Sequence, residues 1–396
     1  MMDSETAMEV TARLPLAEYA ARIKRAQAGL QAQNVDYLLL APSSDLRYLT
    51  GLDARVSERL NLFVVPREGK PAFYAPALEA MEPAALAQDG LFNLIVWQED
   101  EDATALFARA ALRRETDSGN QQTPISLAVG EQMWAGFLLR LQQQLPHAIW
   151  YPALPITGPL RLIKTAAEIA ALAEIGAAAD EVFARLITIQ FSGRKELEIA
   201  DVINHMLRDR GHQNVKFAIV ASGPNGASPH HTAGERVIQA GDFVVLDFGG
   251  PGFHGYGSDI SRTVFVAGAA EGFEPTPEQI KVYTTVFEAQ ELAFEAVRPG
   301  VTAQELDRVA RDHIAAAGYG PAFLHRLGHG IGLDGHEPPY LVQGNVQEIS
   351  AGMAFSDEPG IYLAGHFGVR IEDIVVCEAS GGRRLNNAAR ELIRVK

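Results

Sequence analysis

The chain has 396 residues, 47% hydrophobic and 21% charged, and its 34 Lys and Arg against 49 Asp and Glu give a net charge of −15. This composition excludes a disordered chain, and the acidic field argues against nucleic acid or an anionic membrane as a partner. The single cysteine, Cys377, excludes a disulfide framework and a thiolate metal cluster, so a metal site must use Asp, Glu and His.

The N-terminal stretch MMDSETAMEV lacks the basic start and apolar core of a signal peptide. No apolar run approaches the ~20 residues that span a bilayer. The expectation is a cytoplasmic protein, with a length that suits two or three domains of about 150 residues each.

Leu16 to Gln33 reads as an amphipathic helix, with Tyr19, Ile23, Ala26 and Leu30 at helical spacing. The run Val35–Leu40 is strand-like, as are Leu60–Val65, Ala72–Tyr74, Leu91–Val96 and Ile125–Val129. Helical stretches lie between several of them, which predicts a small α/β domain. Trp97, Trp134 and Trp150 all fall in this half and read as core residues. Pro152, Pro155 and Thr157-Gly158-Pro159 read as a linker, placing the domain boundary at 155/156.

Thr165-Ala166-Ala167-Glu168 has the form of a capping box. It opens a long helix that Gly193 is expected to stop, followed by a second helix over Glu196–Arg208. Strand-like runs then appear at Phe217–Ala221, Phe243–Phe248, Thr263–Val266 and Val369–Val376. Helices are predicted over Pro277–Val297, with proline in the first turn, and Glu305–Ala316, capped from Thr302. Strands and helices in separate groups predict an α+β domain over 156–396.

Chemistry concentrates in this second part. Seven of the 11 histidines lie between positions 230 and 336. Asp247 interrupts the apolar run Phe243–Phe248, where an unpaired carboxylate costs several kcal/mol or more and demands a cation, a partner or a proton. Asp259 follows twelve positions later, beyond a glycine-rich turn, so a hairpin could bring the two together. In Val369–Val376 the two-residue period puts Arg370 and Glu372 on one face. Glu358 is held at a Pro-Gly turn, and His329 sits between Gly328 and Gly330. Each feature has a plainer reading: a bulge or edge aspartate, a glycine loop, an ion pair between Glu372 and Arg370. Together they offer four carboxylates and one imidazole, a donor set for hard or borderline divalent ions such as Mn, with Co or Zn as alternatives. Four acids exceed what one cation neutralises, so two metals that activate a bridging water are the better account. Gly330 to Gly335 also fits G-x-G-x-x-G, but His336-Glu337-Pro338-Pro339 follows where the dinucleotide motif needs a helix, which rejects it.

Residues in this order resemble the pita-bread metallopeptidases: methionine aminopeptidases, prolidases, aminopeptidases P and creatinase. The matching segments are Ser222–His230, Asp247–Gly249, Ser258–Thr263, His325 through His336-Glu337, Glu358–Tyr362 and Gly368–Asp373. Asp45–Gly51 resembles the N-terminal domain of the prolidase and creatinase branch. The resemblance implies an α+β fold, a C-terminal pita-bread domain preceded by a smaller α/β creatinase/prolidase-type domain over 1–155. It also implies that Asp247, Asp259, His329, Glu358 and Glu372 ligate two metal ions. Asp259 and Glu372 bridge, Asp247 serves one ion, and His329 and Glu358 serve the other, with Glu358 also shuttling a proton. His230 and His336 match histidines that hold the substrate carbonyl and the developing oxyanion, and Arg370 matches an arginine at the substrate end of the site.

The N-terminal domain sets this chain apart from methionine aminopeptidases and implies an Xaa-Pro peptidase, a homodimer acting on small peptides with proline second. An Xaa-Pro dipeptidase leads, aminopeptidase P activity on longer peptides is the alternative, and a catalytically inactive binding protein of the same fold comes behind both. The chain departs from the pattern twice. The Asp247–Asp259 spacing is one residue longer than usual. No arginine lies between Glu337 and Glu358, where some prolidases place one near the C-terminal carboxylate of a dipeptide. The expected partner of that carboxylate is Arg370 or a residue of a neighbouring subunit's N-terminal domain.

Overall fold

The computed structural model describes residues 14–117, 124–252, 254–268 and 273–396; the reading of the first ten residues lies outside them. Two compact units result, one ending at Arg161 and the other spanning Leu162–Lys396.

The first unit has a six-stranded mixed sheet. Its strands are β1 (Tyr37–Leu40), β2 (Leu62–Pro66), β3 (Ala72–Pro76), β4 (Asn93–Trp97), β5 (Ser126–Val129) and β6 (Ile149–Pro152), in the order β4-β3-β2-β1-β5-β6. Helices α1 (Leu16–Ala32), α2 (Ser44–Thr50), α3 (Met81–Gln88), α4 (Ala103–Asp117), α5 (Ala135–Gln144) and α6 (Leu154–Leu162) connect or flank them. Strand β1 is buried at every position, as its unbroken apolar run requires of a strand covered on both faces. The expected linker is instead β6 and α6. Pro155 falls in the first turn of α6, where a missing N–H is harmless, and Ile156, Thr157 and Leu160 are buried. The unit therefore ends at Arg161, six residues beyond the expected boundary. The tryptophans are not all core: Trp97 is buried, but Trp134 is 49% exposed and stacks on Phe137.

In the second unit α7 (Ala166–Leu186) starts at the Thr165–Glu168 capping box, and α8 (Glu196–Asp209) follows. Helix α7 stops before Gly193, which instead serves a left-handed turn with φ +85°. Both helices pack on a sheet of β7 (Phe217–Ser222), β8 (Phe243–Pro251), β9 (Gly257–Val266) and the C-terminal β17 (Ile393–Val395), ordered β17-β9-β8-β7. Helices α9 (Pro277–Ala296) and α10 (Ala303–Ala316) share a core with the second sheet. That sheet holds β10 (Gly328–Gly330), β11 (Glu337–Leu341), β12 (Ala354–Asp357), β15 (Asp373–Glu378) and β16 (Gly381–Arg384), in the order β11-β10-β12-β15-β16. A separate hairpin pairs β13 (Gly360–Leu363) with β14 (Phe367–Arg370).

The run Val369–Val376, expected as one strand, is thus split between β14 and β15, two different sheets. At the break, Glu372 bridges to Ser261 of β9. Among the described residues no helix is long and apolar enough to cross a membrane.

Candidate metal centre

The hairpin β8–β9 sets the first pair of carboxylates. Asp247 lies opposite Ser261 and Gly249 opposite Asp259, so the two aspartates are diagonal neighbours on one face of the ladder, within reach of each other's charge. Ser261 lies two residues on from Asp259, on the same face. Its hydroxyl donates to Glu372 Oε2 at 2.8 Å and accepts from Arg370 Nε at 2.8 Å. Glu372 and Arg370 therefore meet at one hydroxyl instead of pairing with each other.

His329 enters from β10. Glycines flank it because β10 is squeezed between two strands: a Cβ on Gly328 would sit 1.9 Å from Ser356 O, and one on Gly330 2.2 Å from Pro338 O. Its Nδ1 lies 3.1 Å from Gly330 O, leaving Nε2 to face the acids, 3.2 Å from Glu358 Oε1 and 3.9 Å from Asp259 Oδ2. Glu358, just past β12, also accepts from Ser356 Oγ at 3.1 Å. All five expected ligand residues therefore come to one place, with Asp259, His329 and Glu372 buried.

The electrostatics are those of a site short of positive charge. Burial, reinforced by the neighbouring carboxylates, raises Asp259 and Glu372 well above the ordinary carboxylate range. Burial also raises Asp247, although Arg370 opposes it. For Glu358 burial pushes up, but the hydrogen bond and charge of His329, with His325 and Arg370, outweigh it and hold the carboxyl at about 2. Within this cluster Asp247 Oδ1 and Glu372 Oε1 are buried with no hydrogen-bond partner. Donor atoms of Asp259, His329 and Glu372 all lie within 4.8 Å of one another. Orphaned carboxylate oxygens around an oxygen-rich set with one imidazole fit a hard or borderline divalent cation.

The three residues expected at the substrate end differ in setting. His230 is exposed. His336 is exposed too, with its ring centroid 3.8 Å from that of His329. Its Nδ1 lies 3.3 Å from Arg326 Nη2. A guanidinium can only donate, so that contact makes Nδ1 an acceptor and puts the proton of the neutral ring on Nε2. Although the residue as a whole is exposed, desolvation of its ring, with the charges of His329 and Arg326, lowers His336 to about 4, which keeps the ring neutral near pH 7. Arg370 is buried: Nη2 donates to Asp247 Oδ2 at 2.5 Å, Nη1 to Tyr362 Oη at 2.9 Å and Pro229 O at 3.2 Å, and Nε to Ser261 Oγ at 2.8 Å. It ties Asp247, Ser261 and Tyr362 together.

Sequence reasoning missed several residues of this cluster. Ser261 was findable from its two-residue step after Asp259. Tyr362, which lies 2.8 Å from His325 Nε2, and Arg326 carry no such signal. Nor does Glu196, fully buried at the start of α8. It accepts from Ser222 N and Oγ, both at 2.7 Å, and from Asn225 Nδ2, and it lies 2.8 Å from His231 Nε2. That cage fixes the loop carrying His230.

Comparison with known proteins gives family matches along most of the chain. The model of metallopeptidase family M24 matches residues 170–379, and that of the creatinase/prolidase N-terminal domain matches residues 22–163. A probable dipeptidase PepE from Mycobacterium tuberculosis is 40% identical over 379 residues, 95% of this chain and 96% of the relative. An Xaa-Pro dipeptidase from Lactobacillus helveticus is 35% identical over 376 residues, 93% of this chain and 98% of the relative. Among solved structures, a prolidase from Thermococcus sibiricus superposes with a TM-score of 0.87 at 37% identity, covering 97% of this chain and all of that one.

Proposed function

The chain belongs to metallopeptidase family M24, and from that premise we propose that it is a prolidase-type dipeptidase that hydrolyses the imide bond of Xaa-Pro dipeptides. The observation that carries the reading is the gathering of Asp259, His329 and Glu372 with donor atoms within 4.8 Å of one another, beside buried, unpartnered oxygens of Asp247 and Glu372, within a chain similar over its length to Xaa-Pro dipeptidases.

In this reading Asp259 and Glu372, with Asp247 on one side and His329 and Glu358 on the other, would hold two divalent ions; manganese is the expected metal, with cobalt and zinc to be compared. Bound there, the ions supply Lewis acidity and make a water nucleophilic near neutral pH. The chain's own groups do the rest. Glu358 takes the proton from the attacking water and passes it to the leaving imide nitrogen. His336, neutral with its proton on Nε2, donates to the oxygen that gains charge in the tetrahedral state, and His230 holds the substrate from the opposite loop. Arg370 holds Asp247 in place as a positioning residue. Catalysis is assigned to the second unit, and the working form is a cytoplasmic homodimer, a point that light scattering would check.

The test is hydrolysis of an Xaa-Pro dipeptide and the matching Xaa-Pro-Xaa tripeptide, with manganese and with chelator. Dipeptide cleavage abolished by chelation is expected. Preference for the tripeptide would move the assignment to aminopeptidase P, and metal-dependent cleavage of neither would overturn the Xaa-Pro reading.

A further inference from the structure

Glu372 stands where its own sheets do not hold it. Strand β14 ends at Arg370 and β15 begins at Asp373, so Ile371 and Glu372 belong to neither ladder. Both backbone groups of Glu372 are answered by β9 instead: its N–H donates to Ser261 O at 3.0 Å, and its C=O accepts from Arg262 Nη1 at 2.5 Å. A buried peptide group left unpaired costs about as much as a lost hydrogen bond, so the second contact matters as much as the first. Arg262 is out of phase with Asp259 and Ser261 along β9, so its side chain leaves the strand on the face away from theirs. It is 1% exposed, and each of the five N–H donors of a guanidinium meets an acceptor. Besides Glu372 O, Nη1 donates to Ser261 O at 2.9 Å, Nη2 to Asp373 Oδ1 at 2.6 Å and Ala388 O at 2.9 Å, and Nε to Ala389 O at 2.9 Å. An ion pair with Asp373 uses one or two N–H groups; a fork that also meets main-chain carbonyls on three segments fixes their relative placement. The C-terminal segment it touches is itself anchored, since Asn387 N donates to Asp180 Oδ2 at 2.5 Å and Asn386 Oδ1 accepts from Ile374 N at 2.8 Å.

We propose that Arg262 is a positioning residue for the metal centre: it sets the main chain of Glu372, and so the direction from which that carboxylate meets the ions, against the anchored segment Asn386–Ala389. This rests on the reading of Glu372 as a metal ligand. Ser261 Oγ, at 2.8 Å, orients the carboxylate itself, and Arg262 fixes the backbone that carries it. Groups that orient a ligand in this way change metal affinity or activity by about 10- to 100-fold when they are removed. Lysine keeps the charge beside Asp373, but a single ammonium cannot span carbonyls of β9, Glu372 and the C-terminal segment together.

Manganese affinity, measured by calorimetric titration of chelated and dialysed protein, and the electron paramagnetic resonance spectrum of the bound ions test this independently of turnover. In Arg262→Lys the dissociation constant should rise by about 10- to 100-fold and the spectrum should change. At saturating manganese kcat should fall, while KM for an Xaa-Pro dipeptide stays near its wild-type value. Asp180→Ala releases the far anchor and should shift the constant in the same direction by less. Val286→Ala, a truncation in the core that α9 shares, loses stability too but should bind manganese as wild-type protein does. Equal weakening in Val286→Ala would reduce Arg262 to general support of the fold and overturn the proposal. Glu372→Gln tells the two readings apart: wild-type manganese affinity there removes Glu372 from the ligands and this proposal with it. Weakened binding in Glu372→Gln, with wild-type affinity and spectrum in folded Arg262→Lys, overturns the role of Arg262 alone. If Arg262→Lys does not fold, Asp180→Ala decides, and wild-type affinity there overturns the proposal.

Discussion

Arg370 and His212 show how single buried side chains tie the site to stability. Arg370 neutralises Asp247 at 2.5 Å inside the protein, and removing one member of such a pair leaves an uncompensated buried charge that costs about 3–5 kcal/mol. Divalent ions held at the proposed site would replace that compensation. Arg370→Met should therefore lose about 3 kcal/mol in chelated protein and distinctly less in the manganese-loaded form; equal losses by urea unfolding in both states would count against the ion-pair account. His212 sits on the other flank of the hairpin, 3% exposed, with Nε2 2.7 Å from Ser258 Oγ and Nδ1 3.1 Å from Leu207 O. Burial lowers its pKa to about 4. In the unfolded chain an imidazole takes up its proton near pH 6.5, so between these values the unfolded state binds more protons and stability falls as pH falls. Taken alone, this residue removes up to about 3 kcal/mol between pH 7 and pH 4. Urea midpoints across that range should show a steeper acid loss in wild-type than in His212→Gln, even though the variant starts lower; parallel curves would show that His212 does not supply the dependence.

Strand β10 is three residues long, yet it fixes the imidazole of the centre, because its glycines let β11 and β12 close on both sides of it. Gly330→Ala would push a methyl group to within 2.2 Å of Pro338 O, and backbone cannot step aside as a side chain can. Overpacking of this kind costs about 1–3 kcal/mol, and a displacement of His329 by about 1 Å would lower kcat on the order of 100-fold. Kinetics and thermal unfolding of the variant read the two effects separately, and near wild-type kcat would mean that β10 has more room than its neighbours suggest. The same strand explains what was legible in the sequence. Short spacings carried the information: Thr165 to Glu168 for a cap, Asp247 and Asp259 around a turn, Gly-His-Gly for a crowded backbone. The glycine flanks announced close approach without saying to what. The break after Arg370 was hidden, because Val369–Val376 alternates like one strand while its two halves serve different sheets. The linker reading failed for the converse reason: Pro155, Gly158 and Pro159 look like punctuation, but burial of Ile156 and Leu160 outweighs their poor helix propensity. Arg326 was silent because only the fold brings it to its neighbours, His336 just ahead of β11 and Tyr340 within that strand.

At the scale of the molecule, the second unit encloses four carboxylates against one guanidinium, and folding has to overcome their repulsion. Burial and neighbouring carboxylates raise both Asp259 and Glu372, so their charged forms are disfavoured in the folded metal-free protein. A ligand that binds only the folded state adds RT ln(1 + [L]/Kd) to stability, about 2.7 kcal/mol at one hundred times Kd. For a unit of this size each kcal/mol moves the melting temperature by about 2–4 °C, so saturating manganese should raise it by roughly 5–10 °C over chelated protein. The first unit holds none of the proposed ligands. Its own transition should not respond to the metal, and any calorimetric shift belongs to residues 162–396. Glu372→Gln separates the two contributions to that shift. The substitution removes a buried negative charge and a proposed bridging ligand together, so the chelated variant should melt at or above chelated wild-type protein, while its response to manganese should shrink to a few degrees or less. A chelated variant that melts well below wild-type, with a full manganese shift retained, would place the cation elsewhere and take the bridging role from Glu372.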